Sequence, residues 1–225
     1  MAMEYETTNK IQAFIKSLDM PIIILLPREY LLKRGIFIKG QSAQYIYKDY
    51  LKCQQPLSAV REYFVNDLER IISKDNLLGR TIVIDKESVK TKSRLLREKC
   101  HESFHFLWEQ FNGSNDVHIL ILPIILTNLY FTRLNDAEKK EIEGALLLDR
   151  YSPEVKAQEF WAHFMQTQYS IKKENMVESE TVRILKDRMN PDWPLRIKAQ
   201  DFYESVFSFF ENLPSENDLC DKVTI

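Results

Sequence analysis

Glycine is scarce in this chain, five residues in 225, against an ordinary usage of about 7%. No G-x-G-x-x-G and no G-x-x-x-x-G-K-[ST] occurs. The glycine-rich loops that cradle dinucleotides and nucleotide phosphates are therefore excluded as motifs. Cysteine is scarce too. Cys53, Cys100 and Cys220 are odd in number, far apart and without a C-x-x-C pair. Neither a disulfide framework nor a thiolate zinc site is expected, and reduced thiols in a cytoplasmic, intracellular setting are. Excess charge of one sign is also missing. The 31 Lys+Arg against 33 Asp+Glu leave a net charge of −2, with no overall pull toward nucleic acid or anionic membrane. Long apolar runs are lacking. Residues 22–26 lie between Pro21 and Pro27, and residues 119–126 contain Pro123. Both fall short of the roughly 20 residues of a membrane helix and are expected to be buried core. The N-terminus carries Glu4 and Glu6 in place of a basic region and an apolar one, so no secretory signal is read there.

What is present is a 44% hydrophobic chain, too apolar for disorder, rich in Lys, Glu and Leu and leaning toward helix. Helical spacing is expected over residues 8–18, through Ile11, Phe14, Ile15 and Leu18, and over 58–72, through Val60, Tyr63, Phe64 and Leu68. Strands are expected at 21–26, at Ile36-Phe37-Ile38 and, most clearly, at the β-branched run 81–85 after Gly79. A long helix follows over 92–111 and stops at Asn112-Gly113-Ser114. The stretch 117–134 is apolar and of ambiguous type. Asn135-Asp136 opens a helix toward Leu148. Ser152-Pro153 opens another to about Tyr169, with Ser as N-cap and Pro at the first helical position. Residues 202–210 form an aromatic helix. No linker or repeat is visible, so one domain over 1–225 is expected, with a C-terminal helical segment over 180–212.

The chemistry lies in His101-Glu102-Ser103-Phe104-His105, an H-E-x-x-H inside the 92–111 helix. Residues i and i+4 are about 40° apart on a helix, so both imidazoles can face one metal ion. Glu102, about 100° from His101, stands where a carboxylate reaches water beside that ion. With four His and 33 acidic residues in 225, the pattern arises by chance in roughly one such chain in a hundred. Leu96, Cys100, Phe104, Leu107 and Phe111 form one apolar stripe, and the two histidines point away from it. Cys100, on that stripe, reads as a packed core thiol. A catalytic zinc ordinarily takes three protein ligands. On the helix after Pro153, the wheel places Glu154 within the apolar arc and Glu159 and His163 opposite it. A carboxylate on a buried face is costly unless paired or metal-bound, which selects Glu154 as the third ligand. A first-turn acid favoured by the helix dipole is the structural alternative.

The strand 81–85, then Ser93, Arg94, Arg97 and the H-E-x-x-H, followed by Glu154-Val-Lys-Ala157-Gln-Glu-Phe160, resembles the ImmA/IrrE-like metallopeptidases. The resemblance covers residues 79–168, with 112–150 as an insertion. It implies an α+β, helix-rich zincin-like domain with a small sheet beside the H-E-x-x-H helix. It also implies Zn2+ held by His101, His105 and Glu154, with Glu102 as base. The activity it implies is intracellular, site-specific proteolysis of a protein or peptide substrate, in several members a transcriptional repressor. Two alternatives stand beside it: an SprT-like protease acting near DNA, and a catalytically silent interaction protein on the same scaffold.

Three further readings complete the sequence. The strand at 81–84 is expected as a sheet edge onto which an extended substrate pairs. Lys90, Lys92, Arg94 and Arg97 read as a solvated helix face and not a nucleic-acid surface. Asp85 reads as a turn residue, and Tyr151 as an oxyanion donor only by its position before the Pro153 helix.

Overall fold

β-branched runs bounded by proline or turn residues make the strands, and amphipathic runs behind polar caps make the helices. The computed structural model describes residues 6–33, 36–37, 41–46, 78–148 and 151–214. In chain order these form α1 (Glu6–Ser17), β1 (Ile22–Leu26), α2 (Arg28–Lys33), β2 (Ala43–Ile46), β3 (Thr81–Asp85) and α3 (Lys92–Asn112). There follow α4 (Val117–Leu120), α5 (Leu122–Arg133), α6 (Asp136–Ala145), α7 (Pro153–Glu174) and α8 (Glu180–Met189). A 3₁₀ turn at Pro194–Arg196 leads to α9 (Ala199–Glu211). The architecture is helix-rich α+β with a three-stranded mixed sheet. The predicted helix over 58–72 lies outside the described residues.

The chain divides into two compact units, one of residues 19–106 with 212–225 and one of residues 1–18 with 107–211. In the first, the strand order is β1-β3-β2. β1 runs parallel to β3, from Ile22 opposite Thr81 to Leu26 opposite Asp85. β2 runs antiparallel, from Ala43 opposite Ile84 to Ile46 opposite Thr81. All five residues of β3 are buried, as a strand with neighbours on both sides requires. β3 is therefore the centre of the sheet. The expectation that it is an edge open to a substrate strand is overturned, because both its hydrogen-bonding edges are already used.

Ile24, Leu26, Leu31, Ile36, Phe37, Ile46 and Val83 pack into one core. Each such side chain contributes about 1.5–3 kcal/mol on full burial. Ile36 and Phe37 belong to that core but form a bend, not the expected strand. Their amides donate to the Leu31 carbonyl at 3.0 and 3.4 Å, so they close the end of α2 and have no ladder to join. Ile38 lies outside the described residues. Asp85, wholly buried, is the turn residue the sequence suggested. It accepts from the Glu87 amide at 2.9 Å, from the Ser88 hydroxyl and from Arg28 Nη1 at 2.7 Å.

The second unit is helical. α1 packs on α9, and α5 packs on α7. The Trp161 indole donates to the Leu126 carbonyl at 2.8 Å, fixing the α5–α7 pair. Trp193 packs edge-on against Trp161 and Tyr203 and tilted against Phe202, with ring centroids 5.3–5.9 Å apart. The polar caps behave as the sequence reads. Asn135 and Glu138 form a reciprocal capping box on α6. Ser152 caps α7 with Pro153 at its first position. α7 runs one turn past its expected end, to Asn175 in the left-handed region at φ 49°. The ambiguous stretch 117–134 is helical, and Leu122, Ile125, Leu126 and Leu129 are buried core. Among the described residues no single helix is long and apolar enough to cross a membrane.

Candidate metal centre

α3 carries the H-E-x-x-H, and from Lys99 to Trp108 it is buried nearly all round. Only His101 in that stretch is partly exposed. His105 is 3% exposed and Glu102 8%. The stripe through Cys100, Phe104 and Leu107 is buried as expected, and burial pushes the Cys100 thiol well above its ordinary range.

Four-residue spacing brings the two imidazoles together. Their Nε2 atoms stand 3.1 Å apart, with the rings 4.8 Å between centroids and crossed at 76°. Two nitrogens, each about 2.0–2.1 Å from one tetrahedral zinc, stand about 3.3 Å apart. The observed pair therefore fits the donor set of a shared zinc. The same separation also suits an N–H···N bond when one ring is the Nε2–H tautomer.

Glu102 is fixed by the sheet. Its Oε2 accepts the Tyr45 amide of β2 at 2.6 Å. The Asp85 amide donates to the Ser42 carbonyl at 2.8 Å, so alternate residues of the β2 segment, 42, 44 and 46, turn toward β3. Tyr45 N–H then points to the outer side of β2, where Glu102 meets it. One helical turn earlier, Glu98 accepts from the Ser42 hydroxyl at 2.8 Å. Phe106 packs edge-on against Tyr45 at 6.0 Å. Two carboxylates thus stitch α3 along β2, an edge strand among the described strands. A carboxylate has about four lone-pair sites, and the Tyr45 bond engages one of those on Glu102.

The third expected ligand does not sit as its helical wheel placed it. Glu154 is exposed in the first turn of α7, ahead of the point where the helix enters the core. The burial argument for it fails, and its place in the sequence pattern remains. Glu159 and His163, which the wheel put on a polar face, are both half-buried. A Glu159 carboxylate oxygen and a His163 ring nitrogen lie within 4.8 Å of each other. They share one side of α7 with Lys156, Gln166 and Thr167, also half-buried, so the polar face of the wheel is the partly exposed side of the helix. The i, i+4 spacing places the two residues one turn apart on that side. Tyr151 is 50% exposed. Lys90, Lys92, Arg94 and Arg97 are exposed.

No family model matches the chain, and no curated protein or solved structure matches it either.

Proposed function

We propose that this protein is a zinc-dependent endopeptidase of the H-E-x-x-H type on a zincin-like scaffold, acting on a protein or peptide inside the cell. The observation that carries the reading is the 3.1 Å separation of His101 and His105 Nε2, two imidazole nitrogens spaced for one ion, with a buried acid between them in sequence. His101 and His105 would hold the metal. The third ligand is Glu154 by the sequence pattern. Zinc, when bound, supplies Lewis acidity that polarises a peptide carbonyl and acidifies water. Glu102 takes the proton of the attacking water and passes it to the leaving nitrogen. Its bond to Tyr45 holds the carboxylate in one place at the outer side of β2.

The test is cleavage of a proteome-derived peptide library, read by mass spectrometry. The zinc-loaded wild type cuts a defined set of bonds, and Glu102→Gln, which keeps the shape and an acceptor oxygen, loses at least a hundredfold of that rate. A Glu102→Gln variant as active as wild type would overturn the role of Glu102. Full biological activity without cleavage would favour the silent interaction protein. Duplex DNA binding at physiological salt would favour the SprT-like alternative.

A further inference from the structure

Ser42, which leads into β2, ties that strand to two other elements of its unit. Its carbonyl accepts the Asp85 amide of β3 at 2.8 Å. Its hydroxyl donates to Glu98 Oε1 of α3 at 2.8 Å. Three residues on, the Tyr45 amide donates to Glu102 Oε2 at 2.6 Å. Glu98 and Glu102 are one turn apart on the same face of α3. Two bonds to successive turns of one helix therefore set where β2 lies along it.

The strand is short enough for that tether to matter. β2 has four residues and, among the described strands, pairs only with β3. A short strand with one ladder is weakly held in register, and a slip of one residue reverses the side to which each amide points. Such a slip carries the Tyr45 amide away from Glu102. A hydroxyl bond to a carboxylate is stronger than one to a neutral acceptor, and Ser42 and Glu98 are both half-buried. Arg94 Nε stands 3.8 Å from the same Glu98 oxygen. We infer that Ser42 is a positioning residue for Glu102: its hydroxyl on Glu98 locks the register of β2 against α3, and the locked strand holds the carboxylate through the Tyr45 amide. The consequence for catalysis rests on the proposed role of Glu102 as base, and the register lock does not.

The test compares Ser42→Ala with Ser42→Thr, which keeps the hydroxyl and suits a strand, in the full zinc-loaded chain. The first readout is hydrogen exchange at the Tyr45 amide, followed by NMR, and it needs no substrate. Ser42→Ala is expected to exchange there about fivefold faster than wild type, the effect of one hydrogen bond, while the amides of α7 are unchanged and Ser42→Thr matches wild type. Glu98→Ala is expected to match Ser42→Ala, and the double variant to add nothing further. The second readout is cleavage of the fastest-cut peptide of the library. Ser42→Ala is expected to lower kcat about fivefold with KM and zinc content unchanged, and Ser42→Thr to restore it. Unchanged Tyr45 exchange in Ser42→Ala overturns the lock. Faster exchange with unchanged kcat overturns the positioning role. No cleavage by wild type overturns the proposed peptidase instead, and the exchange result alone then decides the lock.

Discussion

At the residue scale, Glu102 carries a structural bond beside its proposed chemical role. The Tyr45 amide is wholly buried with its residue and donates to Glu102. Glu102→Ala removes that acceptor and is expected to cost about 1–3 kcal/mol. Glu102→Gln keeps a carbonyl oxygen there and should cost less. Urea midpoints of the three proteins check this, and equal midpoints would deny the bond to Tyr45. A half-buried network lies in the helical unit. Glu143 accepts from Lys156 at 2.6 Å and from the Tyr130 hydroxyl at 3.0 Å. The Lys156 hydrogen bond holds its carboxyl below the ordinary range, and burial together with Glu143 pushes the Tyr130 hydroxyl up. A depressed carboxyl stabilises the fold fully above its unfolded value of about 4.3 and loses that contribution as pH falls through the lower folded value. Both partners are about a fifth exposed, so the contribution is about 1 kcal/mol. Glu143→Gln is expected to lower Tm by about 2–4 °C at pH 7, with the difference closing below about pH 4. A difference that persists at acid pH would deny the charge origin.

At the element scale, the central place of β3 makes a sharp prediction. Val83→Pro deletes a ladder donor in a strand paired on both sides, so it should abolish the folded sheet, read by amide-resonance dispersion. A folded variant would contradict the strand order. Where periodicity and caps agreed, the elements were legible: α1 from Ile11 and Ile15, α3 from its apolar stripe, α6 and α7 from Asn135 and Ser152-Pro153. Strand order was not legible, because a run such as Thr81–Asp85 looks the same at an edge or a centre until its partners are known. β2 was missed because its four residues, Ala43–Ile46, show no alternation. The two histidines and Glu102 were legible from spacing alone. The position of Glu154 was not, because a wheel shows direction around the helix and not depth along it, and the first turn of α7 stands ahead of the core that begins at Ala157.

At the scale of the whole molecule, the chain combines a small mixed sheet that fixes the position of Glu102 with a helical unit in which α1 packs on α9 and α5 on α7. The charge balance is near neutral, and among the described residues no single helix is long and apolar enough to cross a membrane. The central claim is that His101 and His105 share a metal ion. The measurement that tests it most directly is the zinc content of purified, tag-free protein after loading and desalting, by elemental mass spectrometry. One zinc per chain in wild type and in Glu102→Gln, lost in His101→Ala and in His105→Ala, is the result expected. No retained zinc in the folded wild type, or undiminished zinc in both histidine variants, would contradict it.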